Sequence, residues 1–385
     1  MNYNRRNKNG STLTIYVMCA IVFVLFSLCW LYFFQSDVMA MTQHTLSGGL
    51  THYYPVAGAI IITSLLYFLQ LVVFGFTRLK KRAHALTYVP SMLILAVLTD
   101  VSQHIAADSD VDHSVPMWVV ILIFILWVVV VFFTRLLQQV ENDDDYSLFS
   151  RPMWINMLIM SLMMMGVAWI GNTNAVFHYR MHMESLLAKG EFEDALEVGK
   201  KSLESDAHLM MMRMYALART DDMGERLFEY PISATSSEIL PTNGKSRMML
   251  CSNDSVYKFL GARPAEQMEP ERYLQMLLRR DSVPRRTIGD YLLCSYLIDK
   301  DIDHFVHEVG RFYVVNDSLP KHYREALTLY THLRAHPLFV YRSAVTEEDF
   351  NNYRELEQQY PLLSERKGKV GEDYRGTYWY YYEYE

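Results

Sequence analysis

Acidic and imidazole side chains after the first apolar stretch are the first candidates for catalysis. Asp37 follows that stretch directly, with His44 and His52 further along the same segment. A carboxylate near an imidazole suits general acid–base catalysis, and polytopic transferases that use lipid-linked sugars place an acidic base in their first outer loop. One consistent function is therefore a membrane-embedded glycosyl or lipid-linked transferase that uses Asp37. A helix cap is the simpler interpretation of one carboxylate at this place.

Two histidine pairs have the spacing of metal ligands on a helix. His178 and His182 are four residues apart, and His304 and His307 are three apart. Imidazole nitrogens so spaced can share a metal ion. Neither pair has a third ligand at a defined spacing, and the sequence contains no HExxH motif. We therefore predict solvated histidines, no metal site and no cofactor.

The run YWYYYEY, residues 378–384, is chemically the most unusual segment. Aromatic rings at this density suit a strand packed on the last helices, a membrane-interface belt or a docking peptide. Packing of the aromatic rings in the core is the default interpretation. However, Glu383 and Glu385 alternate with tyrosines, which indicates one solvent-exposed face. The candidate partner-binding residues are Tyr378, Trp379, Tyr380 and Tyr382.

The sequence leaves two covalent modifications undecided, a disulfide bond and O-glycosylation. Cys251 and Cys294 would pair in an oxidising compartment if their Cα atoms were close, although buried free thiols are the favoured state. Asp-Ser-apolar triplets at 254–256, 281–283 and 317–319 resemble the acceptor of an envelope O-glycosylation system. They are equally ordinary helix caps.

Five apolar stretches, with no charged side chain in their cores, organise the first 170 residues. About 20 helical residues cross about 30 Å of hydrocarbon, and four stretches are close to that length. The apolar part of the third, ALTYVPSMLILAVL, is short and is interrupted by Pro90, which membrane helices tolerate when neighbours satisfy the freed carbonyl. Because the stretches lack ionisable side chains in their cores, we predict no transport pathway. The predicted spans are residues 12–34, 55–76, 85–101, 117–133 and 153–170.

Positive residues fix the predicted orientation. Those in the first 170 residues lie at the N-terminus and in alternate gaps: Arg5, Arg6, Lys8, Arg78, Lys80, Lys81, Arg82, Arg135 and Arg151. Residues 35–54 and 102–116 contain no Lys or Arg. Because positive residues near span ends are retained in the cytoplasm, we predict a cytoplasmic N-terminus and an extracytoplasmic C-terminal half. This orientation requires that residues 85–101 cross fully.

The second half of the chain is mildly acidic. Residues after 170 include 27 basic and 34 acidic side chains, which account for the whole net charge of -7. Phosphate binding needs a basic face, so this balance argues against nucleic acid. The predicted partners are the lipid bilayer and an envelope protein, and the oligomeric state stays open.

Apolar spacing predicts helices almost throughout the second half. Gly190, Phe192, Ala195 and Leu196 resemble the turn and inner face of one tetratricopeptide unit, with a second helix over 192–205. The pattern departs from that family at residue 207, where alanine replaces the expected closing proline.

The predicted fold is therefore all-α. It consists of a bundle of five transmembrane helices (1–170), a degenerate tetratricopeptide-like solenoid (171–370) and an aromatic tail (371–385).

Three segments carry a wider resemblance: the outer loop FFQSDVMAMTQHTLSGGLTHY, the helix PKHYREAL and the end TYWYYYEY. With the order of the spans, they resemble an uncharacterised family of bacterial envelope membrane proteins of unknown function. The resemblance implies a multi-pass protein of the bacterial inner membrane. It contributes no catalytic residue, because these motifs have no known chemistry.

Helical repeat arrays mostly bind other chains through a concave face. The predicted function is therefore a membrane-anchored, extracytoplasmic scaffold that binds a partner protein in the cell envelope. The transferase that uses Asp37 is the alternative, and an enzyme is the less favoured class.

Overall fold

Every regular element that the structure describes is helical. The structure, a computed structural model, describes residues 2–79, 81–101, 114–137, 151–280, 285–338 and 340–385. No strand occurs among them, which confirms the all-α prediction. The chain divides into two compact units, Met1–Asn174 (the N-terminal unit) and Ala175–Glu385 (the C-terminal unit).

The described part of the N-terminal unit contains six α-helices. They are α1 (Asn2–Cys29), α2 (Ser36–Leu46), α3 (Pro55–Thr77), α4 (Val89–Thr99), α5 (Met117–Leu137) and α6 (Arg151–Ile170). A π-helical turn, Trp30–Phe34, continues α1, and a 3-10 helix, Lys81–Tyr88, precedes α4.

Helices long and apolar enough to cross a membrane are present at all five predicted places. These stretches are Leu13–Phe34, Pro55–Thr77, Arg82–Thr99, Met117–Leu137 and Arg151–Ile170.

The third stretch differs most from its prediction. It joins the 3-10 helix to α4 and is 61% buried, against 28% or less for the other four. Pro90 lies in the first turn of α4, where its missing N–H removes no helical hydrogen bond. Because the helix begins before residue 85, it includes His84, which is buried. His84 lies just before the predicted span, residues 85–101, so it does not bear on the prediction that the span cores contain no ionisable side chain.

Helix α4 runs in the same direction as α1 and α6. Where the third stretch begins, the His84 ring lies 4.1 Å from the Tyr16 ring of α1, measured between centroids. The Ala85 backbone N–H donates to Asn156 Oδ1 of α6 over 2.7 Å. The early parts of the first, third and fifth apolar stretches therefore meet at one level of the helix bundle.

The late parts of the same helices meet at the other end. Trp30 Nε1 donates to Thr99 Oγ1 over 3.3 Å. The backbone N–H of Asn172, just after α6, donates to the Thr99 carbonyl over 2.9 Å. The third stretch therefore extends from one end of the helix bundle to the other.

Helix α3 runs antiparallel to α4. Gln70 Nε2 donates to Thr87 Oγ1 over 3.0 Å, and Ser91 Oγ donates to the Leu66 carbonyl over 2.7 Å. The later residue of α3, Gln70, contacts the earlier Thr87, and the earlier Leu66 contacts the later Ser91. The two helices therefore run in opposite directions.

Helix α5 contributes no buried residue. Trp127 Nε1 donates to the Leu86 carbonyl over 2.8 Å, and Asp100, after α4, accepts the backbone N–H groups of Ser114 and Val115. The start of α5 is therefore held beside the end of α4, so α5 also runs antiparallel to it. An exposed apolar surface all around a helix suits a lipid environment.

The C-terminal unit contains twelve α-helices in its described residues. They are α7 (Ala175–Lys189), α8 (Phe192–Glu197), α9 (Ala207–Arg219), α10 (Met223–Arg226), α11 (Asp254–Leu260), α12 (Pro270–Arg280), α13 (Arg286–Ile298), α14 (Ile302–Phe312), α15 (Lys321–Leu333), α16 (Ala344–Gln359), α17 (Leu363–Tyr374) and α18 (Tyr378–Tyr384).

Most consecutive helices pack on one another around one hydrophobic core. Contacts between helices distant in the chain depart from a simple array: α9 and α10 reach α13, α10 also reaches α15, and α18 returns to α15. The last helix therefore closes the unit against an earlier one.

The predicted repeat at Gly190 is present only in part. Gly190 has a φ of 80° and forms the turn between α7 and α8, and Ala195 and Leu196 are fully buried. However, α8 ends at Glu197, because Val198 adopts an extended conformation with a ψ of 119°, and Gly199, with a φ of 63°, continues the turn. The prediction of a helix over 192–205 is therefore wrong after residue 197.

Candidate functional site

Asp37 lies in the first turn of α2 and is half-buried. A carboxylate at this place interacts favourably with the positive end of the helix dipole. His44 is seven residues further along α2 and so on the same face, about 10 Å along the axis. His52 is exposed beyond the helix. Stabilisation of the start of α2 accounts for a carboxylate at position 37. The transferase activity that would use Asp37 stays a prediction.

The aromatic C-terminal run forms a helix, α18, where the sequence suggested a strand. Thr377 caps it, and its hydroxyl accepts the backbone N–H of Tyr380 over 3.3 Å. Tyr378, Trp379 and Tyr380 are 2% exposed or less, whereas Tyr382 is half-buried. The structure thus places three of the four candidate binding residues in the core, and their partner binding stays a prediction.

A buried histidine–glutamate pair on α15 holds this helix in place. Glu325 Oε2 accepts the backbone N–H of Tyr378 over 2.7 Å, and the Glu325 carbonyl accepts Trp379 Nε1–H over 2.8 Å. His322 Nδ1 lies 2.9 Å from the same Oε2 atom. Both side chains are 5% exposed or less. Glu325 therefore supplies the negative charge that the N-terminus of α18 favours.

The other nitrogen of His322 fixes its tautomer. Nε2 accepts the backbone N–H of Phe228 over 3.3 Å, so the proton of the neutral ring is on Nδ1 and is donated to Glu325. Phe228 belongs to the 3-10 turn Leu227–Glu229. The pair thus joins α15, α18 and that turn.

Glu184 on α7 anchors the irregular segment before α11. It is 1% exposed, and its Oε1 atom accepts the backbone N–H groups of Met249, Leu250 and Cys251, the last over 2.8 Å. Burial raises the pKa of Glu184 to about 7, although the three N–H donors and the Arg180 charge act in the opposite direction. A carboxyl group here fixes the fold of residues 249–251.

A third buried carboxylate lies between α13, α14 and α15. Asp290 Oδ1 accepts the hydroxyl groups of Tyr313 over 2.5 Å and Tyr323 over 2.9 Å. Burial raises the pKa of Asp290, and these two hydroxyls oppose the rise. Tyr323 also lies 3.5 Å from Cys294 Sγ. All of these groups have partners within the fold, which indicates a packing role.

The histidine pairs and cysteines do not form a centre in the described residues. His304 Nδ1 lies 2.5 Å from Asp301 Oδ2, and the described residues contain no group of three or more potential metal ligands. Cys251 is half-buried, Cys294 is buried, and both are free. The triplet 281–283 lies outside the described residues.

Exposed apolar side chains are concentrated at one edge of the C-terminal unit. Leu333 ends α15, Val345 begins α16, and Leu338 and Val340 lie in the connection between them. They are 41%, 67%, 75% and 51% exposed, respectively. We name these four residues the apolar edge.

The connection that carries this edge is held by hydrogen bonds. The Leu338 N–H donates to the Tyr330 hydroxyl over 3.1 Å, and the Tyr341 N–H donates to Thr331 Oγ1 over 3.4 Å. The edge therefore presents its apolar side chains on a backbone with defined anchors.

The sequence analysis did not identify the His322–Glu325 pair on α15 or Glu184. His322, Glu325 and Glu184 occur in helices with polar neighbours, where such residues usually face solvent. Their partners are 53 to 94 residues distant in the chain. No local signal identifies them.

Comparison with known proteins gives a family but no activity. No curated protein and no solved structure matches the chain. A family described as "Family of unknown function (DUF6057)" matches residues 107–275 and 265–385, which together make up more than half of the chain. The protein therefore belongs to the DUF6057 family of unknown function.

Proposed function

We propose that this protein is a membrane-anchored scaffold of the bacterial cell envelope that holds a partner protein through its C-terminal unit. The apolar edge is the observation that carries this proposal. Four of the nine large apolar side chains exposed on the described C-terminal unit belong to this edge. An exposed apolar patch with a polar rim is typical of a protein interaction site.

The surroundings of the edge supply that rim. Arg334, at its border, forms an ion pair with Asp303, and both side chains remain about half exposed. Arg342 on the other side is exposed as well. Charged groups at the border of an apolar centre set specificity and register, while the centre supplies most of the binding free energy.

Site-directed crosslinking tests this binding role. We expect a photoreactive residue at Leu338 of the full chain, in its native membrane, to give one discrete crosslinked protein. Val340→Asp combined with Val345→Asp should reduce that product at least tenfold, because charges in an apolar interface centre are costly to desolvate.

Leu203→Asp is the matched control for this experiment. Leu203 is 65% exposed and lies outside the edge. The exposed substitutions should leave stability within about 0.5 kcal/mol. A crosslinked product that survives the double substitution, or crosslinks to lipid alone, would contradict the proposal.

The proposed orientation has the N-terminus in the cytoplasm and the C-terminal unit outside. It is supported by the common direction of α1, α4 and α6: if the bundle crosses a membrane, α3 and α5 cross in the opposite direction, which gives five crossings. The positive residues then face the cytoplasm.

Thiol labelling tests the orientation. The native cysteines are poor reporters, because Cys294 is buried and burial raises the pKa of Cys251 to about 12. We expect Asn351→Cys, at an exposed position of α16, to react with an impermeant reagent added outside the inner membrane. Asn4→Cys should react only after that membrane is opened, with the unsubstituted chain as background control. Labelling of both positions from the same side would exclude an odd number of crossings.

A further inference from the structure

The connection between α15 and α16 contains a short extended segment, residues 340–343. Its side chains alternate, because Val340 and Arg342 are exposed whereas Tyr341 and Ser343 are buried. Ser343, at the end of the segment, has a φ of -134° and a ψ of 118°, which are values of an extended chain. Alternation with a period of two is the pattern of a β-strand that packs one face on a core. The segment therefore has the form of a strand, although the described residues contain no strand that pairs with it.

Hydrogen bonds hold only one lateral side of this segment. The Tyr341 N–H donates to Thr331 Oγ1 of α15 over 3.4 Å. Successive backbone groups of an extended chain point to opposite lateral sides, so the N–H and C=O groups of Val340 and Arg342 point to the side opposite Thr331. None of these four groups has a hydrogen-bond partner within the described residues. Unpaired backbone groups in a row are a template for the strand of another chain.

Arg342 supplies the charge that such a strand would meet. Its side chain is exposed, and no carboxylate of the described residues forms an ion pair with it. Neighbouring Arg334, by contrast, is paired with Asp303. Val340, on the same face as Arg342, is 51% exposed. Because cross-strand pairs of opposite charge and of apolar side chains stabilise a sheet, the complementary strand has an acidic residue opposite Arg342 and an apolar residue opposite Val340.

We propose that the partner protein binds the apolar edge as an extended β-strand, with an apolar and an acidic side chain two positions apart. This inference rests on the proposed scaffold function and specifies the chemistry of its partner. Strand addition obtains affinity from main-chain hydrogen bonds and specificity from alternate side chains, and residues 340–342 offer both. A helix on the same edge would exclude water from the four backbone groups without giving them partners, which is costly.

Photocrosslinking from Leu338 of the full chain, in its native membrane, tests this mode of binding through the yield of crosslinked partner. Val340→Pro removes one outward N–H and keeps an apolar side chain. It should lower the yield about fivefold, the effect of one hydrogen bond. Arg342→Glu should lower the yield about tenfold, because it places like charges opposite each other.

Val314→Pro and Arg272→Glu are the matched controls. Val314 is 77% exposed, and its N–H has no hydrogen-bond partner in the described part of the chain. Arg272 is exposed on α12. Both controls should leave the yield unchanged. All four variants, purified as full chains in detergent, should keep the thermal unfolding midpoint of the unsubstituted chain.

A charge exchange separates strand pairing from loss of folding. Replacing the acidic residue of the crosslinked partner segment by arginine should restore the yield in Arg342→Glu. An unchanged yield with Val340→Pro would overturn strand pairing, and the scaffold function would stand. If Leu338 gives no crosslinked protein in the otherwise unsubstituted chain, the scaffold function itself is overturned. A product that contains two copies of this chain would overturn a separate partner protein.

Discussion

Replacing Glu325 by alanine should detach the C-terminal helix α18 from the fold. The substitution removes the acceptor of two buried donors, the Tyr378 N–H and the Nδ1–H of His322. Each donor left without a partner costs about 1–3 kcal/mol, and the charge that stabilises the start of α18 is lost as well. We expect the local unfolding free energy of α18 to fall by about 3–5 kcal/mol.

Hydrogen exchange of the full chain, followed by mass spectrometry, measures this effect. Amides of residues 378–384 should exchange about 100 to 4000 times faster in Glu325→Ala, because every 1.4 kcal/mol corresponds to a factor of ten. Glu325→Gln keeps one acceptor oxygen and should show a smaller increase.

The surface control is Glu355→Ala on α16, where the glutamate is exposed. Its exchange pattern should match that of the unsubstituted chain. Unchanged protection of α18 in Glu325→Ala would show that aromatic packing alone holds the helix.

Local patterns in the sequence predict the helices of this fold well. Hydropathy over about 20 residues identifies a spanning helix without knowledge of its neighbours, and all five apolar stretches are helices. Of the residues spaced for one helix face, Ile302, Phe305, Val306 and Val309 are buried on α14, whereas Phe312 and Tyr313, at and just beyond its end, are half-buried. These features depend only on residues within one helix.

Features that depend on distant partners are not predictable in this way. The C-terminal tyrosines alternate with glutamates like a strand, but α15 offers a buried carboxylate that accepts the first N–H of a helix. Glu184 has a solvated sequence context, yet it lies under the backbone of residues 249–251. Which helices meet is set by packing of the whole unit, so these sites were invisible in the sequence.

Glu184 should make the stability of the C-terminal unit depend on pH. Its pKa is about 7 in the folded chain, against a model-peptide value of 4.5. Between these values the folded chain holds a proton that the unfolded chain has lost, so the free energy of unfolding falls as the pH rises. The expected loss from pH 4.5 to pH 7 is about 3 kcal/mol, at 1.36 kcal/mol per pKa unit.

Urea titrations of Glu184→Gln and the unsubstituted chain isolate this effect. Trp379 is the only tryptophan after residue 170 and lies in the core, so its fluorescence reports on the C-terminal unit when the other five are replaced by phenylalanine. The glutamine keeps an acceptor oxygen for the N–H groups of residues 249–251 but does not titrate. The two chains should have similar stability near pH 4.5, and the glutamine variant should be more stable by about 3 kcal/mol above pH 7.

Glu204→Gln, at an exposed position, should show the pH dependence of the unsubstituted chain, because its carboxylate is solvated in both states. Other titrating groups are common to all three chains and cancel in the differences. The same pH slope in Glu184→Gln and the unsubstituted chain would mean that the N–H donors of residues 249–251 outweigh burial and keep Glu184 ionised throughout. In that case its charge would stabilise the segment directly, and Glu184→Gln would weaken the fold at every pH above 4.5.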